Sequence, residues 1–301
     1  MKQDDIPILS TSEKEKIFFD RTVDWKPPFP TRHQKFHINR LEDAVHHLRF
    51  PFPPHRQTVY DFIFITNGKS IRSKGMDSYH FSKNTFFFLP AYQISTHESM
   101  SKNVKGYYCH FDTEIFNRKY LTQNAIAEFS FLQFSGNPIV KINPAIQSLI
   151  IHTLSRLEQE NTKGLKINLD IISIYLMSLF IELKPFAKQE KITENAAFRI
   201  TQLYKNKLSE SIYEKHTISE YASMLNVSPN HLNKCIKAAT GKSAQDLLSD
   251  MILMEAKVLL RQSTMTVNEI AWKVGKEDTS DFIRFFKSKT KQTPVEFRKM
   301  D

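Results

Sequence analysis

The 301-residue chain reads as an α+β protein, with an antiparallel β-domain and trailing helices followed by an all-α part built twice on one pattern. Three observations predict this. Residues 34 to about 142 alternate apolar and polar side chains in short runs broken by turn residues. After Pro144 the apolar period lengthens to that of a helix. The stretch "TISEYASMLN" at residue 217 then returns, matched by type at nearly every apolar position, as "TVNEIAWKVG" at residue 266.

The β-domain rests on "QKFHINR", "QTVYDFIFITNGKSIRS", "YHFSKNTFFFLP" and "VKGYYCHFD", all rich in aromatic and β-branched residues. Between the second run's halves, Asn67-Gly68 reads as a type I′ hairpin turn, which needs positive φ at both central residues. A sandwich or a small barrel would satisfy this pattern. Next, "AIQSLIIHTLSRLEQE" places apolar residues at 146, 149, 150, 154 and 157, an amphipathic helix. The apolar window "LDIISIYLMSLFIEL" (Leu169 to Leu183) is too short for a membrane span and reads as a buried or dimer-forming helix. A charged link, "KPFAKQEKITEN" (Lys184 to Asn195), separates it from a helical remainder. The expected division is 1–142, 143–189 and 190–301.

Composition narrows the class. The balance of 41% hydrophobic and 25% charged residues is that of a globular protein. The opening "MKQDDIPILSTSEKEK" places two aspartates where a secretory signal requires basic residues and then an apolar stretch, so the expected compartment is the cytoplasm. Cys109 and Cys235 lie far apart without a CxxC pair, so neither a disulfide framework nor a zinc site is expected. A net charge of +10 suits a polyanionic partner but does not locate its site. Residues 190–301 carry 18 basic and 14 acidic side chains, a net of +4, which leaves +6 for the rest.

In each copy of the duplicated unit, apolar residues at i, i+3, i+4 and i+7 define a two-turn helix. Each helix stops at a residue that tolerates the left-handed conformation, Asn226 in the first and Gly275 in the second. Ser228 with Pro229, and Asp278, then start a second helix. Beyond the turn the repeat runs at a spacing of fifty: Leu232 with Phe282, Ile236 with Phe286, Lys237 with Lys287, Thr240 with Thr290. Helix, tight turn, helix with a polar outer face is the helix-turn-helix arrangement, whose second helix enters the major groove of DNA. The breaker-free "SAQDLLSDMILMEAKVLLRQ" would join the copies as one long helix, placing the two reading helices roughly 34 Å apart on successive groove turns.

These residues carry a resemblance. "TISEYASMLNVSPNHLNKCIKAATGKS", "AKVLL", "VNEIAWKVGKEDTSDFIRFFK" and "TPVEFR" resemble, in order and spacing, the DNA-binding domain of the AraC/XylS family of bacterial transcription regulators, over about 100 residues from Ile200 to Lys299. The sequence departs from the family pattern at Lys276, where a phenylalanine is usual, at Ile252, where an arginine is common, and at Lys291, where a glycine is usual. The resemblance implies an N-terminal cupin-like β-barrel that senses a small molecule, helices that pair two chains, and a lean toward activation, with RNA polymerase as a further candidate partner.

With Leu232 and Ile236 inward, the outward positions of the first reading helix are Asn230, Asn233, Lys234 and Lys237. Asparagine pairs bidentately with adenine and lysine reaches guanine acceptors or phosphate. The match to the family's base-reading positions favours Asn230, Asn233 and Lys234. The same reasoning selects Thr279, Ser280 and Arg284 in the second helix, with Lys287 toward the backbone. For the effector, His55, Tyr60, Tyr79, His80, Tyr108 and His110 are candidates to line the barrel interior, together with Arg56. A metal-dependent cupin enzyme would need an H-x-H pair with a nearby glutamate, and only the adjacent His46-His47 and the lone His97-Glu98 are present, so no metal, cofactor or catalytic residue is expected. Two alternatives stay open: a ligand-independent regulator whose β-domain only dimerises or binds a partner protein, and a cupin-type enzyme with an appended DNA-binding domain.

Overall fold

A computed structural model of the chain describes residues 35–117, 126, 128–133, 136–163, 166–187 and 196–299. The opening stretch read for a signal, and residues 188–195 of the charged link, lie outside the described residues. The described residues fall into two compact units, 35–187 and 196–299.

The first unit holds two antiparallel sheets. Strands β1 (Phe36–Arg40), β3 (Tyr60–Asn67), β6 (Thr85–Leu89), β8 (Lys105–Phe111) and β9 (Ile139–Lys141) form one in the order β1-β8-β3-β6-β9. Strands β2 (Phe52–His55), β4 (Lys69–Lys74), β5 (Asp77–Ser82) and β7 (Ser95–Met100) form the other in the order β2-β7-β4-β5. The edge strands of the two sheets do not pair with each other among the described residues, so the domain is an open sandwich and the expected barrel is not closed.

The Asn67-Gly68 expectation is corrected here. Strands β3 and β4 belong to different sheets, so this dipeptide carries the chain from one sheet to the other and makes no hairpin. Only Gly68, at φ 90°, is left-handed. A tertiary partner decides the path. The turn at residues 101–104 receives the crossing through Asn67 Nδ2 donating to Asn103 O at 2.8 Å and Ser101 N donating to Lys69 O at 3.0 Å. It also leaves no room for a Cβ at Gly68, which would fall 2.8 Å from Val104 Cα.

Strand alternation gives the five-stranded sheet two different faces. Phe36, Ile38, Phe62, Phe64, Phe86, Phe88, Tyr107, Cys109 and Phe111 lie on one face and share a core with the helices α2 (Gln147–Asn161) and α3 (Leu169–Leu183). Phe88, Phe111, Phe116, Phe129 and Phe131 surround the ring of Phe180 from α3 at centroid distances of 5.6 to 6.2 Å. The trailing helices are therefore built into the β-domain's own core. On the other face, Ile63, Ile65, Phe87 and Leu89 meet Phe81 of the second sheet, α1 (Leu41–Ala44) and Val104.

The second unit is all helix among its described residues: α4 (Ala196–Ser211), α5 (Ile218–Met224), α6 (Pro229–Thr240), α7 (Ala244–Gln262), α8 (Val267–Lys273), α9 (Thr279–Thr290) and α10 (Pro294–Lys299). The 19 residues of α7 make a rod of about 28 Å. It buries Leu247, Leu248, Met251, Ile252, Ala256, Val258, Leu259 and Leu260. Ile252, at the family's arginine position, is thus a core residue. No described helix of the chain is long and apolar enough to cross a membrane.

Candidate nucleic-acid interface

The two helix-turn-helix units are built by the same local chemistry. Helices α5 and α8 begin with identical capping boxes, Thr217 with Glu220 and Thr266 with Glu269, in which the threonine hydroxyl accepts from the N3 amide and the glutamate accepts from the threonine amide. Each first helix closes through an αL residue, Asn226 at φ 54° and Gly275 at φ 77°. The next amide then reaches back to the same carbonyl in both copies: Val227 N donates to Ala222 O at 3.0 Å and Lys276 N to Ala271 O at 2.8 Å. Ser228 and Asp278 cap α6 and α9, and Pro229 occupies the first turn of α6, as the sequence pattern requires.

The correspondence continues to the helix ends. Thr240 and Thr290 each return their hydroxyl to the carbonyl four residues back at 2.8 Å. Gly241 at φ 74° and Lys291 at φ 66° then occupy the same left-handed cap. A lysine there carries a steric penalty that the glycine does not. Lys276, at the phenylalanine position of the family pattern, lies half-buried with Nζ 5.2 Å from the Phe285 ring centroid, so its stem and charge cover part of what an aromatic ring would fill.

The outer faces of α6 and α9 present most of the expected reading residues. Asn230, Lys234 and Lys237 are exposed on α6, and Ser280, Arg284 and Lys287 are exposed on α9. Arg284 forms an ion pair with Asp281, one turn earlier on the same exposed face. Such an exposed pair is worth little.

Two expected readers are engaged elsewhere. Asn233 is half-buried and its Oδ1 accepts from Ala244 N at 2.9 Å, which ties α6 to the first turn of α7 and removes the acceptor that bidentate adenine pairing needs. Thr279 is half-buried and donates its hydroxyl to Asn268 Oδ1 on α8. Asn268 was not singled out by the pattern, since its role arises only when α8 and α9 are folded against each other.

The effector candidates divide by strand face. His55 and His110 are buried, and Tyr79 and Tyr108 are half-buried against the core between the sheets. Tyr60 faces the helix side instead, stacked on Phe111 at 5.6 Å, and His80 is exposed on β5. These two do not line the space between the sheets, because each falls on the opposite phase of the strand alternation.

Between the sheets lies a polar group centred on Asp61 and Arg72, neither of which the pattern singled out. Asp61 accepts from Arg72 Nη1 at 2.6 Å and Nη2 at 2.8 Å, and also from Gln57 Nε2. Arg72 Nε donates to Ser95 Oγ at 3.2 Å. His37 and His110 face each other at 5.4 Å, Ser70 Oγ meets His97 Nε2 at 2.7 Å, and the expected Arg56 donates to the Tyr92 carbonyl at 3.1 Å. Burial, with the charge of Arg72 and then His55, pulls the His97 pKa well below the usual imidazole value, so this ring is neutral. Burial raises the Cys109 thiol, on the opposite face, well above its usual range and leaves it unreactive. Among the described residues no group of three or more His, Cys, Asp or Glu side chains is arranged to hold a metal ion.

Comparison with known proteins identifies the second unit. A helix-turn-helix domain family matches residues 221–300. The chain is similar to the bifunctional transcriptional activator/DNA repair enzyme AdaA of Bacillus subtilis, 31% identical over 93 residues, which cover 31% of this chain and 44% of that protein. It is also similar to the transcriptional activator RhaS of Escherichia coli, 25% identical over 158 residues, covering 52% of this chain and 56% of RhaS. The chain thus spans about half the length of the curated relatives it matches. Among solved structures, the C-terminal domain of the response regulator yesN from Fusobacterium nucleatum is 31% identical and 99% covered, against 34% of this chain, with a TM-score of 0.32.

Proposed function

We propose that the chain, which belongs through its C-terminal domain to the AraC/XylS family of transcription regulators, binds specific promoter DNA with α6 and α9 and adjusts that binding to a small-molecule effector. The observation that carries the DNA reading is the duplication itself. Two units share caps, αL turns and back-bonded threonines, and each turns an exposed polar helix face outward. In this reading Asn230 and Lys234 contact bases in one major-groove turn and Ser280 and Arg284 in the next. Lys237 and Lys287 hold phosphates, and Asn233 and Thr279 position the helices without reading bases.

The effector reading rests on the buried polar group around Asp61, Arg72, His97 and His110, since convergent polar side chains in an apolar domain are the chemistry of a small-molecule site. The dimer reading rests on the outer sides of α2 and α3, which expose Leu149, Ile174 and Ile181 while their inner sides are core. The protein is read as a regulator without catalysis, working in the cytoplasm.

A hydroxyl-radical footprint of the full chain on the DNA upstream of its own gene tests the first part. Protection in patches about 10 base pairs apart on one face, lost in a Lys234→Ala/Arg284→Ala double variant, supports it, and protection without that periodicity refutes it. For the second part, a thermal-shift screen of the full chain against metabolites separates an effector-responsive protein from a ligand-independent one, because a ligand that binds the folded state raises the melting temperature.

A further inference from the structure

The turn of the second helix-turn-helix is seated on the segment that leads into the first helix-turn-helix, within the same helical domain. His216 immediately precedes the capping residue Thr217 of α5, and its own amide donates to Glu220 Oε2 at 3.1 Å, inside that capping box. Its ring lies over Gly275, the turn residue of the second unit, so closely that a Cβ there would sit inside the imidazole, against Cδ2 and Cγ. Three residues earlier, Tyr213 carries the Lys273 ammonium 5.3 Å from its ring centroid, while its hydroxyl donates to Glu255 Oε2 of α7 at 2.6 Å. Glu255 is fully buried. The end of α8 and the turn after it therefore rest on residues 213–216, and those residues are tied both to the first helix-turn-helix, through Glu220, and to the connecting helix, through Glu255.

Backbone conformation alone does not explain glycine at 275. The equivalent turn of the first helix-turn-helix adopts the same left-handed conformation with Asn226, at φ 54°, so an αL turn of this kind accepts asparagine. What asparagine cannot do at 275 is share space with the His216 ring. The Nε2 of that ring is buried without a hydrogen-bond partner among the described residues, so packing against Gly275 rather than a polar bond holds it.

The two helix-turn-helix units both pack on α7, so their relative rotation is set by that packing and by any contact between them off the helix axis. A contact of the second kind restricts the rotation further. We propose that the contact of His216 with Gly275, supported by Tyr213 between Lys273 and Glu255, is a strut that sets the rotation of one reading helix against the other and so determines the separation of the two DNA blocks the chain recognises. His216 and Tyr213 are then positioning residues for specificity, although neither lies on a reading helix. The proposal rests on the two-helix DNA reading given above.

In vitro selection of binding sites from a randomised duplex pool, with the full chain, tests it. The wild-type protein is expected to select two sequence blocks at one separation. His216→Ala should select the same blocks over a spread of separations and bind a duplex of the wild-type separation about 10-fold more weakly, while a duplex carrying one block binds unchanged. Gly275→Asn, which keeps the αL turn but collides with the ring, should also broaden the separation. The His216→Ala/Gly275→Asn pair should recover thermal stability relative to Gly275→Asn without recovering the single separation. If His216→Ala melts below the assay temperature, Tyr213→Phe, which removes only the hydroxyl bond to Glu255, takes its place with the same expectation. A single sharp separation retained by the folded variants overturns the strut. Selection of only one block, or none, by the wild-type protein overturns the two-helix reading itself.

Discussion

Replacement of Asp61 by alanine should destabilise the β-domain by about 3–5 kcal/mol, the cost of stranding a buried charge. The side chains of Asp61 and Arg72 are 1% and 5% exposed, so no solvent can take the place of the carboxylate. Both terminal nitrogens of Arg72 are spent on Asp61, at 2.6 and 2.8 Å, and the Ser95 hydroxyl that receives Nε is neutral and cannot compensate the charge. Gln57 loses an acceptor in the same change. Since domains of this size are stable by only about 5–15 kcal/mol, the loss is a large share of the total. The Asp61→Leu/Arg72→Met double variant removes the charge together with its partner and should come within about 1 kcal/mol of wild type, or exceed it. Urea unfolding of the full chain, followed by the near-ultraviolet circular dichroism of the aromatic core, measures both. Equal losses in the single and double variants would refute the reasoning, because the penalty would then come from lost packing rather than an unpaired charge.

Lys291→Gly should stabilise the second unit by about 1 kcal/mol in thermal unfolding by relieving a left-handed non-glycine residue. Gly241→Ala, at the matching cap of the first helix-turn-helix where a Cβ meets nothing within 4 Å, should cost about as much through conformation alone. On DNA, Lys234→Ala should weaken specific binding by about 1–3 kcal/mol and relax preference at one base, whereas Lys237→Ala should weaken all sequences alike with a shallower salt slope, both measured by fluorescence anisotropy across salt. Glu220 accepts from the Thr217 hydroxyl and from the His216 and Thr217 amides, which lowers its pKa from 4.5 to about 2. A carboxylate with a depressed folded pKa stabilises fully above about pH 4.5, and its contribution fades as pH falls through about 2. Glu220→Gln should therefore lose stability near neutrality and show a flatter dependence across that acid window in pH-resolved thermal melts.

The helical half was legible because its determinants are local. Thr217 with Glu220, Ser228 with Pro229, Asn226, Gly275 and Asp278 act within a few residues of themselves, so type and spacing suffice to place caps and turns. The outward polar faces of α6 and α9 were legible for the same reason, apart from Asn233 and Thr279, whose partners Ala244 and Asn268 lie 11 residues away in sequence. The β-half was less legible because its pairings are distant. Asn67-Gly68 satisfies the local rule for a hairpin, yet the turn at 101–104 receives the chain and sends β4 into the other sheet. The misplaced Tyr60 and His80 show a similar limit, since alternation separates two faces without saying which of them meets the second sheet.

By itself, then, the sequence determined the α+β class, the duplicated helix-turn-helix architecture and, apart from Asn233 and Thr279, the outward polar faces of α6 and α9, while the family was legible through the resemblance of its motifs. Class, duplication and faces follow from periodicity and capping, which are short-range. Tertiary structure alone decided that the sandwich stays open, that α2 and α3 share the sheet's core, that Asp61 and Arg72 meet between the sheets, and that His216 lies over Gly275. Each of these joins residues far apart in the chain, and which distant surfaces meet depends on the packing of the whole domain rather than on any segment's own preference.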